Sequence, residues 1–251
     1  MGEINIISRE AKDDQTPQEF LKALECGNTK LVLALLAKGT DPNTNDNGIT
    51  PLNTAAWIGD TRLVQLLLNA GAKPDPTDTG EPPLFTAIWK GHMAVVDVLL
   101  KAGANPNSKN KWGHTALTYA ITKHQGPIVK LLLDAGVEID RAITTETPPM
   151  ECWTPLMLAT WEGLYDIACD LISRGADVNA TDGGGRTAMH GAAWHGHLDL
   201  IAALRQAGGD LFAKSNDGHT PAFYAQQNGQ KEIAFQLMLL ELEARRLREE
   251  T

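Results

Sequence analysis

The sequence predicts an all-α solenoid, a stack of repeated helix pairs, and three observations favour this fold class. Glycines recur at intervals of 32, 32, 33, 39 and 33 residues, at Gly39, Gly71, Gly103, Gly136, Gly175 and Gly208. A second glycine stands twelve residues before five of these six, at Gly27, Gly59, Gly91, Gly163 and Gly196. Apolar residues between the glycines follow the 3.6-residue period of an amphipathic helix. Together these patterns predict paired helices that each end at a glycine.

The stretch 154–182 contains the repeated unit in its most complete form. It opens with a threonine suited to an N-cap and with Pro155, which is tolerated at the first helical position. Gly163 ends this short helix, and a second helix follows with an apolar face formed by Ile167, Ala168, Leu171 and Ile172. The Asp- and Asn-rich tail, residues 176–182, predicts a turn or hairpin. We therefore expect a helix, a turn, a helix and a projecting finger in about 33 residues.

This unit resembles an ankyrin repeat, which opens with the pattern T-P-L-H-x-A. Residues 154–156 are Thr-Pro-Leu, and Met157 stands where the pattern has histidine. The sixth unit keeps the histidine, His190, and lacks the proline. The closing Gly-Ala-Asp-Val-Asn of residues 175–179 is also typical of the family. The resemblance covers about residues 16–250 and implies an ankyrin-repeat solenoid with β-hairpin or loop fingers and an extended C-terminal helix.

Seven units follow from this spacing, after a polar N-terminal segment at residues 1–15 that is expected to be loosely ordered. Their approximate ranges are 16–45, 46–77, 78–109, 110–140, 141–181, 182–214 and 215–250. The first unit has a polar outer face, which suits the N-terminal cap of a repeat array. The fourth unit has His124 where most of the others have the glycine between the two helices.

Two regions depart from the regular unit. Residues 141–153 lengthen the fifth unit and predict an enlarged finger loop, which either contacts a partner or is a neutral insertion. The last helix, residues 231–250, has no stop signal and is rich in strong helix formers. Its residues Ile233, Leu237, Leu240, Ala244 and Leu247 follow a 4-3-4-3 spacing. This spacing favours either a C-terminal cap or a short coiled-coil seam for a second copy or a partner.

Composition argues against several classes of function. The chain has 22 basic and 31 acidic residues, a net charge of -9, which disfavours binding to nucleic acid or to an anionic membrane. Its three cysteines have no spacing typical of a zinc site or a disulfide framework, so no metal is expected. No apolar run is long enough for a transmembrane helix, and the N-terminus lacks the apolar core of a secretory signal. We therefore expect a soluble, cytoplasmic protein.

Tryptophan is concentrated at one position of the unit. The residues seven positions after each opening threonine or its equivalent are Trp57, Trp89, Thr122, Trp161, Trp194 and Gln227. The ankyrin resemblance implies that this position ends the first helix and faces a concave groove. The other two tryptophans, Trp112 and Trp153, precede opening threonines and are expected at the groove rim. The sequence therefore predicts that a protein partner binds in a tryptophan-lined groove.

Further candidate contact residues lie at the next position of the unit or in the finger tips. They are Ile58, Lys90, Lys123, His195 and His114. A narrower hypothesis is that the tryptophan rings recognise a cationic side chain through cation–π attraction. A separate resemblance concerns Asn179, because Leu171 stands eight residues before it, as in ankyrin repeats that asparagine hydroxylases modify.

The favoured function is a non-catalytic protein-binding module, such as an adaptor, scaffold or inhibitor. No residue pattern indicates an acid–base pair or a nucleophile, so no catalytic residue and no cofactor is predicted. One alternative is a self-associating structural protein, which would form a homodimer through its C-terminal helix instead of the expected monomer. The other alternative is a small-molecule enzyme, for which the sequence nominates no residue.

Overall fold

The computed structural model describes residues 17–76, 80–144 and 152–249. Within these ranges the chain forms fourteen helices. The first helices of the seven pairs are α1 (Pro17–Glu25), α3 (Pro51–Ile58), α5 (Pro83–Lys90), α7 (Ala116–Thr122), α9 (Pro155–Trp161), α11 (Ala188–His195) and α13 (Pro221–Gln227). The second helices are α2 (Thr29–Ala37), α4 (Thr61–Asn69), α6 (Met93–Lys101), α8 (Gly126–Asp134), α10 (Tyr165–Ser173), α12 (Leu198–Gln206) and α14 (Lys231–Glu249).

The helices begin where the sequence places capping residues. The hydroxyl of Thr50 accepts a hydrogen bond from the Asn53 amide, and Thr154 accepts one from the Met157 amide. Proline follows both threonines at the first helical position, where its missing N–H costs nothing. Gly59 ends α3 with a φ of 83°, and His124 adopts a φ of 56° at the equivalent position after α7. The left-handed turn between the paired helices therefore survives without glycine in the fourth unit.

The helices form two layers because each pair stacks on the next. Each first helix packs against the first helix of the following pair, from α1 on α3 to α11 on α13. Second helices pack likewise from α4 to α12. One continuous apolar core runs between the layers, with leucines such as Leu63, Leu99 and Leu171 fully buried. The predicted all-α solenoid is confirmed.

The fingers between units are turns that are braced by asparagine side chains. Asn43 Nδ2 donates to the carbonyl of Gly71, and its Oδ1 accepts from the Lys73 amide. Asn179 makes the equivalent pair of bonds to Gly208 and Asp210 in the next unit. Each amide thus links one unit to the next. Both the nitrogen and the oxygen of the Asn179 side-chain amide are therefore hydrogen-bonded. Modification of Asn179 by a hydroxylase stays a prediction.

The predicted finger loop at 141–153 lies partly outside the described residues, as does the N-terminal segment 1–15. Its base is closed, because the Ile143 amide donates to the Trp153 carbonyl and the Cys152 amide donates to the Ile143 carbonyl. Isolated β-bridges join Asp46 to Ile49 and Lys109 to Thr115 in two other fingers.

The last helix acts as a cap over its first half. Ile233 and Leu237 are 7% and 2% exposed because they pack into the repeat core, so they cannot form a seam for a second molecule. That part of the seam hypothesis is wrong. A different row faces outward on the same helix, formed by Phe235, Met238, Leu239 and Leu242. No helix in the described ranges combines the length and the apolarity needed to cross a bilayer.

Candidate functional site

A groove of about 1020 Å³ runs along α3, α5 and α7, and we call it the N-terminal groove. In α3 the lining residues stand three, four, seven and eight positions after the opening Thr50, and α5 and α7 contribute residues at some of the same positions, which share one side of a helix. The finger before α7 contributes Trp112 and His114. The aromatic rings in the groove wall are those of Trp57, Phe85, Trp89, Trp112 and Tyr119.

Three of these tryptophans keep about half of their surface open to water. Trp57 is 47% exposed, Trp89 is 49% exposed and Trp112 is 52% exposed. The rings of Trp57 and Trp89 meet edge to face, with centroids 5.0 Å apart. The ring of Trp112 lies nearly parallel to that of Tyr119, with centroids 6.5 Å apart. Successive units therefore bring their indoles together into an open aromatic surface.

A lysine ammonium group covers a ring face at three places in this groove. Lys90 Nζ lies 3.3 Å from the ring centroid of Trp57 and 5.0 Å from that of Trp89. Lys111 Nζ lies 4.5 Å from the ring centroid of Trp112, and Lys123 Nζ lies 5.5 Å from that of Tyr119. Each distance is within the range of a cation–π contact. In the part of the chain that the structure describes, none of these ammonium groups pairs with a carboxylate.

Buried polar groups also line the N-terminal groove. Both carboxylate oxygens of Glu81 are shielded from water. Burial raises the pKa of Glu81, and the positive charge of Lys111 and the nearby side-chain amide of Asn110 oppose that rise. The Nδ1 atom of His114 is also buried without a partner within the described ranges, and burial, assisted by Lys123, lowers the pKa of this histidine. The groove wall is therefore incompletely satisfied in the free protein.

The structure brings most of the predicted contact residues into this groove. Trp57, Ile58, Trp89, Trp112, His114 and Lys123 line it, and Lys90 reaches over it. The other three tryptophans, Trp153, Trp161 and Trp194, line a separate cavity of about 250 Å³ beside α9, α11 and α13, which we call the C-terminal pocket. The predicted single row of tryptophans is thus divided into two sites.

Trp153 does not lie open at a groove rim. Its side chain is only 4% exposed, and its Nε1 donates a hydrogen bond to Asp182 Oδ2 across 3.1 Å. The Trp161 ring packs against it, with centroids 5.0 Å apart. The expectation that Trp153 is a rim contact is therefore corrected, because the indole has both an apolar neighbour and a hydrogen-bond partner inside the fold.

Trp161 and Trp194 are only partly exposed. Trp161 lies against Gly191, where an added Cβ would stand 3.6 Å from the indole, an ordinary van der Waals distance. The His195 ring also packs on it, with ring centroids 4.3 Å apart. Thr86 occupies the position beside the N-terminal groove that is equivalent to Gly191. Contacts with the neighbouring unit therefore cover part of the Trp161 ring.

Comparison with known proteins decides the family. A profile described as Ankyrin repeats (3 copies) matches residues 20–110, 96–182 and 156–245, which together span most of the chain. The chain belongs to the ankyrin repeat family. Members of this family typically act as protein–protein interaction modules.

Solved ankyrin repeat domains resemble most of the chain. The chain is similar to the ankyrin repeat domain of Bcl-3, a member of the IkappaB protein family, with 26% identity and a TM-score of 0.77. That match covers 89% of this chain and 97% of the Bcl-3 chain. The human ASB11 ankyrin repeat domain has 24% identity and a TM-score of 0.71, with 88% and 96% of the two chains covered. The ASB11 likeness shows the fold alone.

A partial match connects the array to an enzyme. Glycerophosphocholine phosphodiesterase gde1 of Schizosaccharomyces pombe is 36% identical over 86 residues. The match covers 34% of this chain and 7% of the phosphodiesterase, so this ankyrin repeat chain spans a small fraction of that relative. It assigns no catalytic residue here.

Sequence reasoning missed several residues of the N-terminal ankyrin groove. Glu81, Phe85, Lys111 and Tyr119 all line it and were not among the candidates. Helical spacing contained part of the signal, because Phe85 precedes Trp89 by four residues and so shares its face. Nothing in the spacing indicated Glu81, which reaches the groove from the finger before α5.

Proposed function

We propose that this ankyrin repeat array is a non-catalytic module that binds a protein partner in its N-terminal groove. The observation that carries the proposal is the half exposure of Trp57, Trp89 and Trp112 around one concave surface. Tryptophan is enriched at the centres of protein interfaces, and open apolar patches often mark binding sites. The three cysteines are unpaired, which fits the reducing cytoplasm as the place where the partner is met.

The exposed area of the three tryptophans is large enough to contribute substantially to the free energy of binding. A tryptophan that is half exposed leaves roughly 100 Å² to cover, and three give about 300 Å². At about 25 cal/mol per Å², covering them contributes about 7 kcal/mol before the costs of association are subtracted. A partner that buries these three rings therefore gains a large part of the binding energy from this groove.

The test compares two triple variants that remove similar exposed apolar area. Trp57→Ala, Trp89→Ala and Trp112→Ala empty the groove, whereas Met93→Ala, Tyr165→Ala and Leu198→Ala trim second helices, where these residues are 48%, 47% and 46% exposed. Proteins captured from an extract of the native cell are compared quantitatively, with circular dichroism as the folding check. We expect the groove variant to lose partners that the second-helix variant keeps. Equal capture by both variants would refute the proposal.

A second candidate function is self-association through α14. Its outward row of Phe235, Met238, Leu239 and Leu242 is spaced 3-1-3, which reads identically in both directions. Such a row suits a two-fold antiparallel pair, in which Phe235 meets Leu242 and Met238 meets Leu239 of a second copy. Sedimentation of the wild type beside a Phe235→Glu variant tests it. An unchanged mass for both, equal to that of one chain, rules this candidate out.

A further inference from the structure

The charge of the N-terminal groove differs from that of the whole chain. Lys90, Lys111 and Lys123 all place their ammonium groups over its rings. The acidic residues in its wall are Glu25 and Glu81. The residues that line the groove include two lysines and two glutamates, and Lys90 adds a third ammonium group above the rings, whereas the whole chain carries a net charge of -9. The groove is thus less acidic than the chain as a whole.

The chain itself occupies the positions that a cationic ligand would take. Each cation–π site described above already holds a lysine of this chain, so a partner's lysine or arginine would have to displace an ammonium group and approach two others. The rings of Trp57 and Trp89 are close enough to hold a cation, and Lys90 fills that place. The hypothesis that the tryptophans recognise a cationic side chain therefore meets repulsion in this groove.

An anionic group of a ligand would be attracted by the lysines of the groove. The three ammonium groups lack carboxylate partners in the described part of the chain, so a ligand's carboxylates can pair with them without breaking an existing ion pair. Glu25 is exposed at the groove edge, while the carboxylate oxygens of Glu81 are shielded from water. Lys111 acts on the charge of Glu81 without forming an ion pair with it.

We propose that the occupant of the N-terminal groove is an acidic peptide segment of a protein partner, with apolar side chains between its carboxylates. The carboxylates lie beside Lys90, Lys111 and Lys123, and the apolar side chains cover Trp57, Trp89 and Trp112. This proposal rests on the proposed function, because it names the chemistry of the partner for the same groove.

The experiment uses a displayed library of random twelve-residue peptides selected on the full chain. Peptides count as groove binders only when the Trp57→Ala, Trp89→Ala, Trp112→Ala variant fails to bind them. We expect these peptides to contain more Asp and Glu than Lys and Arg. We also expect their affinity to fall about tenfold when Lys90, Lys111 and Lys123 are all changed to Gln, since each exposed ion pair contributes modestly.

The matched control changes Lys38, Lys130 and Lys214 to Gln, which removes the same total charge from exposed positions outside the groove. We expect less than about a twofold change for this control at physiological salt, because distant charges are screened. Groove binders with a Lys and Arg excess, or with equal losses in both lysine variants, overturn the acidic segment and leave the proposed function standing. Absence of any groove-dependent peptide counts against both. Competition for the groove by a single-stranded oligonucleotide would overturn the assignment of a peptide.

Discussion

Trp153 and Asp182 are joined by a buried hydrogen bond of 3.1 Å that crosses from the fifth repeat to the finger of the sixth. The same carboxyl group accepts from the Arg186 Nε and from the backbone amides of Gly184 and Arg186. One buried carboxylate thereby organises the finger and fixes the indole.

Asp182→Ala should reduce the free energy of unfolding by about 3 kcal/mol, because it removes a buried carboxylate that accepts hydrogen bonds from Trp153 Nε1, from Arg186 Nε and from two backbone amides. Urea unfolding measures the change. Asp217→Ala, at an exposed position in the next finger, is the control and should cost less than about 0.5 kcal/mol. Equal losses for both variants would show that Asp182 does not organise the finger.

Gly59→Ala should destabilise the array more than Gly39→Ala. Both glycines have a left-handed φ, 83° and 92°, so alanine at either place costs roughly 1 kcal/mol. An added Cβ at Gly59 would also lie 2.6 Å from the His92 ring, whereas a Cβ at Gly39 meets nothing within 4 Å. We expect at least about 1 kcal/mol of additional loss at Gly59, measured by thermal unfolding. If the contact with His92 causes this additional loss, adding His92→Ala should recover most of it. Recovery of only a small part would contradict the packing argument.

Glu81→Gln should stabilise the folded protein at neutral pH. Because burial raises the pKa of Glu81 in the folded state, its protonated form contributes stability below about pH 4.5 that is lost as the pH rises through the folded pKa. The variant should therefore exceed the wild type in stability at pH 7, and the difference should shrink toward pH 4. Denaturant titrations at both pH values test this, with Glu25→Gln as an exposed control in the same groove. A pH-independent difference would contradict the burial argument.

His190 should make the protein less stable in mild acid. Burial lowers the pKa of this histidine, although its hydrogen bond to the His219 carbonyl opposes the shift. His190 therefore takes up a proton more readily in the unfolded chain than in the folded one. Its contribution to the free energy of unfolding is complete above about pH 6.5 and is lost as the pH falls below it. Denaturant titrations between pH 7 and pH 5 should show a shallower fall for His190→Gln than for the wild type. An identical slope would exclude this histidine as a source.

The helices could be predicted from the sequence because their determinants are local. Thr50, Pro51 and Gly59 specify the start and the end of α3 without reference to the rest of the chain. In the fourth repeat His124 replaces glycine and still adopts the left-handed turn between the two helices. The regular spacing of the other repeats predicts a turn at this position.

The openness of the tryptophans could not be predicted in the same way, because it depends on residues about one repeat away. Gly191 contacts Trp161, which stands thirty positions earlier, and Asp182 accepts a hydrogen bond from Trp153, which stands twenty-nine positions earlier. Periodicity identifies equivalent positions but not which side chain faces each one across the stack. The sequence therefore predicts one row of tryptophans, whereas the structure distributes them between two separate sites.

The stacking of α3, α5 and α7 has a consequence for partial unfolding. Since each repeat contacts its immediate neighbours, the last helix pairs can unfold while the earlier pairs stay folded. The aromatic surface spans only the second, third and fourth pairs, so it outlasts the loss of α13 and α14 from the far end.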